Sequence, residues 1–428
     1  MRRHIRICGL LALAAVAASA ALGTATPATA APSIRYGIKD DAWLVHGPGT
    51  VAGRVAQLQG IGVQIVRFSL AWNEIAPTRP SNPANPADPA YDWSGPDPVL
   101  ERLRSAGIDA IVDIVGAPSW SNGGRPPAYA PSSAASIGAF ARAAGTRYRW
   151  VRRWAVWNEP NQRRWLMPTS PRVYVTKLLN PAYAALHAVV PGVAVAGGVT
   201  APRGSTNGVS PVSWIRGMRA AGARLDAYAH NPYPLNPRTE SPTTGGCNHC
   251  LTLTMATLPR LLREVNAAFG PVRVWLTEYG YQTNPPDPLL GVSPELQARY
   301  LGEAALRTYL APRVDVLIHF LYRDEPTLGR FQSGLVWLNG KPKPAYGAFE
   351  LPLAQRSRSG ASVSLWGQLR VPEAGVVRIQ VYRRGWQNLA PAPRSFGRGV
   401  FTWSARLPAG TKVRAVAGSV AGAAVVLR

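Results

Sequence analysis

Two glutamates end apolar runs where a charge has no obvious reason to be. In "RRWAVWNEPN" (152–161) a strand-like stretch runs into Asn158 and Glu159. In "VRVWLTEYGYQ" (272–282) another ends in Glu278. Burying an ionised carboxyl is costly without partners, so two such positions ask for one explanation. Paired carboxyls in one cleft are the equipment for acid–base and nucleophilic work at a glycosidic bond. One must carry a proton to the leaving oxygen, while the other must be ionised to attack carbon or activate water. The idea requires the two, far apart in sequence, to meet in space.

The elements that would bring them together are legible from periodicity. Short apolar runs occur at 33–38, 63–70, 108–115, 151–157, 192–199, 225–230, 272–278 and 314–322. Most lack strict in–out alternation, as expected of parallel strands buried on both faces. Helical patterns lie between them, among them "DPVLERLRSAG", "SAASIGAFARAAGTRY" and "SPELQARYLGEAALRTYL"; Pro181 is expected to kink a longer one. Eight strand–helix units predict a (β/α)8 TIM barrel over residues 31–354. A doubly wound sheet is the alternative, but no glycine-rich phosphate turn follows the first strand. From residue 355 to 428 short strands with Gly and Pro turns predict a small antiparallel β-sandwich. In a barrel, strand ends converge on one mouth, so Glu159 after strand 4 and Glu278 at the end of strand 7 can face each other.

At these residues the sequence resembles the clan A retaining glycoside hydrolases, particularly the secreted, cellulase-like barrels of families 5 and 39. "WNEPN" and "TEYGYQ" carry the likeness, supported by "VRFSLAWNEIAP", "DIVGAPSWS" and "AHNPYP", each on the expected strand. The resemblance covers most of residues 33–353. It implies Glu159 as acid/base and Glu278 as nucleophile, with carboxyls about 5–5.5 Å apart. It also implies that Asn158 binds a sugar hydroxyl, that Arg67 keeps Glu278 ionised, and that Tyr233 bonds Glu278. His230 would touch the sugar or the acid/base, and Trp72, Trp120 and Trp157 would stack on sugar or wall the site. Members of the clan place a Trp platform at the end of strand 8; here Tyr322, or Trp337 from the next loop, is expected in its place. Asp113 and His319, inside strands, could fill the barrel floor.

The remaining features bound the setting. Arg2, Arg3 and Arg6, an alanine-rich apolar core and "ATA" at 28–30 predict a signal peptide over residues 1–30 and a secreted protein; an uncleaved anchor is the alternative. Cys8 stands before the apolar core, the wrong place for a lipid anchor. Cys247 and Cys250 then read as a disulfide in a small loop; a metal site with His249 would need a fourth ligand. No cofactor or metal is expected. The net charge of +25 comes from arginines scattered along the chain, without a basic helix or an aromatic RNA-binding signature, so no nucleic-acid partner is expected. From residue 355 onward Glu373 is the only acid among about a dozen Arg and Lys, which suggests either a solvated basic face or attraction to an anionic polymer or cell surface. Trp366, Tyr382, Trp386 and Trp403 there could line a binding face or fill the sandwich core. The expected protein is a monomer acting on a poly- or oligosaccharide; the alternative is a barrel that binds carbohydrate or cell envelope without cutting it.

Overall fold

The computed structural model describes residues 33–371 and 374–428, so the expected signal peptide and Cys8 lie outside the described residues. Eight parallel strands close into a barrel: β1 (Arg35–Lys39), β2 (Ile65–Ala71), β3 (Asp109–Val115), β4 (Arg153–Val156), β5 (Ala194–Thr200), β6 (Ala227–His230), β7 (Arg273–Tyr279) and β8 (Val314–Phe320). β1 pairs with both β2 and β8, which closes the ring. The apolar runs are continuous because both strand faces are buried. Ile65, Ile111, Ala155, Ala196, Ala227, Ala229, Trp275, Val316 and Ile318 fill the interior. The alternate residues pack under the helices. Small residues on β4 to β6 leave room for Trp275, so large and small side chains share one layer at close packing.

Local sequence explains where the outer helices begin. Ser170, Ser210 and Ser293 each cap a helix with the side-chain oxygen and are each followed by proline, whose missing N–H costs nothing in the first turn. The helix expected to kink at Pro181 is interrupted just ahead of it, by a π-turn over Val175–Leu179 leading into Asn180–Val189. The wider turn accommodates a residue that cannot donate to the preceding turn.

The sandwich comprises β9 (Leu353–Ser359), β10 (Ser362–Gln368), β11 (Arg378–Tyr382), β12 (Trp386–Leu389), β13 (Ser395–Phe396), β14 (Val400–Arg406), β15 (Lys412–Ala417), β16 (Val420–Ala421) and β17 (Val425–Val426). One sheet runs β13-β14-β10-β9, the other β12-β11-β15-β16, with β17 also on β15. Leu365, Ile379, Val381, Phe401 and Val413 form the core between them. Trp366 packs on Tyr309 of the helix Pro294–Tyr309, with ring centroids 5.2 Å apart. Arg370 lies between the rings of Tyr36 and Phe349 and donates to the Phe349 carbonyl. Tyr36 belongs to β1, and Gly62, which also abuts Arg370, precedes β2. The sandwich is therefore attached near the end of the barrel where strands begin, opposite the face where they end.

The loops on that opposite face are fastened by a buried cation. Lys343 Nζ donates to Asp324 Oδ1 at 2.7 Å, Thr283 Oγ1 at 2.9 Å and the Gln332 carbonyl at 3.1 Å, joining the loops after β7 and β8 to the start of the last helix. Both Lys343 and Asp324 are buried. Lys343→Met leaves the Asp324 carboxylate buried and unpaired, so it should cost about 3–5 kcal/mol of stability. Lys343→Met/Asp324→Leu should recover much of that loss; denaturant unfolding of the two variants checks both outcomes.

Candidate active site

Arg67 is the centre of the polar layer on which the barrel mouth rests. It points inward from β2 and is fully buried. Its Nε and Nη2 donate to Asp113 Oδ1 and Oδ2, at 3.2 and 3.0 Å, as a fork. Nη1 donates to Glu278 Oε1 at 2.8 Å and to the Thr277 carbonyl at 3.4 Å; Nη2 also donates to Asn158 Oδ1 at 2.9 Å. All five guanidinium N–H groups are thereby used. Burial pulls against its charge, but Asp113 and Glu278 outweigh that and hold it protonated. From β1, Lys39 donates to Asp41 Oδ2 at 2.8 Å and Ser69 Oγ at 2.6 Å, with Asp113 Oδ1 3.9 Å away. Asp113, set aside as floor filling from sequence, is thus the carboxylate that orients Arg67.

Glu278 reaches this layer through an irregularity. Its neighbours Val274 and Leu276 pack outward, and strict alternation would send Glu278 with them. Between Leu276 and Tyr279, β7 has one residue more than β8, and this bulge turns Thr277 and Glu278 both to the interior. Glu278 Oε2 accepts from the Tyr233 hydroxyl at 3.2 Å. Burial raises its pKa. Arg67, then Lys39, oppose the rise without cancelling it, so Arg67 limits the upward shift and does not hold the carboxyl below its usual range.

Glu159 sits on strained backbone. Trp157 and Glu159 have φ of 72° and 40°, in the left-handed region that non-glycine residues rarely occupy. The turn is held by Glu159 N–H donating to the Val199 carbonyl at 2.9 Å. Asn161, fully buried, accepts from Ala201 N–H at 2.8 Å and donates to the Val209 carbonyl at 3.0 Å. Glu159 Oε1 accepts from Asn231 Nδ2 at 3.2 Å, and Asn231 is itself oriented by Thr277 Oγ1 donating to its Oδ1 at 2.8 Å. No cation touches Glu159 among the described residues. Burial and then the charge of Glu278 push its pKa up to about 7. The pair is therefore unequal: Glu278 has a guanidinium and a phenol, Glu159 one amide, so Glu278 ionises first. Asn158 spends its oxygen on Arg67, which leaves its Nδ2 donors for a ligand.

The other expected contacts divide. Tyr233 bonds Glu278, as described. His230 does not reach the mouth. Ala227 and Ala229 face the barrel interior, so alternation turns His230 outward, where Nδ1 pairs with Thr200 Oγ1 at 2.8 Å and Nε2 with the Leu253 carbonyl at 3.0 Å. The next inward residue is Asn231, and the period of two in "AYAHN" is the signal that points to it. His319 likewise pairs with the Ser333 carbonyl outside the barrel. Trp72 is fully buried against Phe140 and Trp120, and its role is core. Trp157 is also buried, its Nε1 donating to the Trp165 carbonyl at 2.6 Å. Trp120 remains half-buried, its Nε1 tied to the Ala76 carbonyl. Tyr322 is turned away from the mouth, stacked on Trp43 at 4.1 Å and bonded to Gln57. Trp337 lies under Lys343 in a separate 760 Å³ depression lined by Pro285, Pro286 and Leu338. The aromatic at the end of β8 is instead Phe320, half-buried and edge-on to Tyr233. It continues the inward series Val316, Ile318. Cys247 and Cys250 form the expected disulfide, in the loop after β6. Among the described residues no group of three His, Cys, Asp or Glu is placed to hold a metal ion.

Neither a protein-family model nor a curated protein sequence matches this chain. Solved structures do resemble it in fold. A family 39 glycoside hydrolase from Bacteroides cellulosilyticus WH2 superposes with a TM-score of 0.57 at 16% identity, over 92% of this chain and 82% of that one. A glucosidase from Croceicoccus marinus gives 0.57 at 15%, over 87% and 80%. The GH5_18 protein from Streptomyces cattleya, solved in complex with GlcNAc, gives 0.52 at 16%, over 73% and 78%. The chain shares the barrel fold of these glycoside hydrolases.

Two outcomes follow from the unequal pair and its support. Chemistry that needs Glu278 ionised and Glu159 protonated should give a bell-shaped profile of kcat/KM. Glu159 is protonated only below its raised pKa, so the alkaline limb should fall near pH 7. Arg67→Lys keeps the charge but offers fewer donors, so denaturant unfolding should show a loss of about 1–3 kcal/mol for each acceptor left unpaired.

Proposed function

We propose that this protein is a secreted retaining glycoside hydrolase, cleaving O-glycosidic bonds of a poly- or oligosaccharide by double displacement. The observation that carries the reading is the pair of carboxyls at the barrel mouth with opposite surroundings. Glu278 is the nucleophile: Arg67 and Tyr233 favour its ionised form and leave its carboxylate oxygens fixed for attack at the anomeric carbon. Glu159 is the acid/base: its pKa, raised to about 7, leaves it protonated in mildly acidic solution and in about half the molecules at neutrality, so it can deliver a proton to the leaving oxygen and then take one from water. Asn231 fixes the orientation of Glu159, while Asn158 presents donors to a sugar hydroxyl next to the nucleophile. Phe320 and Tyr233 supply the aromatic wall, with Trp120 at the rim. The substrate class and the chemistry are supported further by the fold shared with glycoside hydrolases. The leader read over residues 1–30, with its positive start and "ATA" site, supports export.

The test is a panel of aryl glycosides and polysaccharides assayed with wild type and Glu278→Gln. Activity on one glycoside that disappears in the variant is expected, and silence across the panel would overturn the reading. Glu278→Ala should regain turnover with azide, giving an azide product of inverted anomeric configuration. Glu159→Ala should spare substrates with good leaving groups and slow poor ones by about 100-fold or more, since only the latter need the proton. Equal slowing of both classes would remove Glu159 from the acid role.

A further inference from the structure

The aromatics of the C-terminal sandwich separate into two sets. Trp366 and Trp403 are buried. Tyr382 is 52% exposed, and Trp386 lies half-buried beside it. They stand directly opposite across the β11–β12 hairpin, with ring centroids 5.4 Å apart. Alternation explains the separation. Ile379, Val381, Val413 and Ala415 point into the core, so Gln380 and Tyr382 on β11 and Lys412 and Arg414 on β15 project from the other face.

The register sorts that face into two rows: Trp386, Tyr382 and Lys412 in one, Asn388, Gln380 and Arg414 in the other. The rows are coupled. Arg414 lies over the Trp386 ring, its guanidinium carbon 4.2 Å from the centroid, and its Nε donates to Gln380 Oε1 at 2.8 Å. Gln380 Nε2 in turn donates to Asn388 Oδ1 at 3.0 Å. Lys412 Nζ is 5.8 Å from the Tyr382 ring. The guanidinium is thus held by a ring and an amide, with both terminal nitrogens left to face solvent. Arg378 lies on β11 two residues before Gln380, Arg383 and Arg384 lie in the turn between β11 and β12, and Glu373 is the only acidic residue in the sequence from position 355 onward.

We infer that this sheet face is a binding site for an anionic polysaccharide, a sugar polymer bearing carboxylate or sulfate groups. The exposed Tyr382 ring and the part of Trp386 that Arg414 leaves uncovered pack on the C–H faces of pyranose rings, and the free Arg414 and Lys412 donors make charge-assisted bonds to the acidic substituents. A guanidinium already fixed by its neighbours loses little freedom on binding. Charge complementarity favours an acidic polymer over a neutral one, since among the described residues this face carries basic and no acidic side chains. Because the sandwich is attached opposite the barrel mouth, binding here leaves the catalytic face open. It would raise the local concentration of polymer around the barrel.

The test uses the full chain carrying Glu278→Gln, so that no polymer is consumed, in affinity electrophoresis through gels containing polygalacturonate or a neutral β-glucan at one ionic strength. Retardation by polygalacturonate and not by the glucan is expected. Trp386→Ala, and separately Lys412→Gln/Arg414→Gln, should each weaken it by about tenfold or more, as loss of a central contact does. Tyr382→Ala provides a second exposed aromatic whose removal leaves the core intact. Equal retention of Trp386→Ala and its parent would mean simple ion exchange and overturn the inference. So would equal retardation by the neutral glucan, or tighter binding of a single-stranded oligonucleotide than of polygalacturonate. None of these outcomes depends on hydrolysis, so they stand apart from the test of the catalytic reading.

Discussion

A guanidinium sealed in the barrel with every donor engaged is the constraint on which the rest of the structure depends. Arg67 cannot give up its charge, so its burial demands anionic and polar partners around it. Asp113 on β3, Asn158 after β4 and Glu278 on β7 meet that demand from three directions. Satisfying one cation therefore fixes the relative positions of strands that are distant in sequence. It also leaves Glu278 pinned by one oxygen, with a phenol on the other. The same interaction that makes the floor stable makes a carboxylate available at its upper edge.

Glu159 shows the opposite arrangement. It stands on left-handed backbone, with one amide for company and a like charge nearby. Each of these features costs stability, and the rigid surroundings of Asn161 and Val199 hold the turn against that cost. Two identical side chains acquire different proton affinities because one faces a cation and the other does not. An acid and a nucleophile drawn from one residue type need that division of environment.

The sandwich follows a separate logic. Its core is a simple apolar layer, and its link to the barrel runs through Trp366 and the aromatic-flanked Arg370. Neither contact involves the catalytic face. The barrel mouth and the outer sheet face are thereby left free of each other, as the proposed hydrolytic and polymer-binding roles require.

Much of this was legible in the sequence because it depends on local pattern. The eight apolar runs coincide with the eight strands to within a few residues, since burial on both faces writes itself directly into composition. Glu159 and Glu278 stood out as polar residues in apolar surroundings, Arg67 through the resemblance its strand carries, and the Cys pair as neighbours in a small loop. What the sequence could not display was direction. His230, Trp72 and Tyr322 have the right chemistry, but side-chain orientation put them in the outer core and put Asn231 and Phe320 at the mouth. Alternation along β6 and β8 carried part of that information. The bulge that turns Glu278 inward carried the opposite of it, because alternation alone would have sent the carboxylate outward. Sequence by itself determined the architecture and the residue types available for chemistry. Tertiary structure decided which of them face one another, because strand register, bulges and the needs of a buried cation arise only between segments.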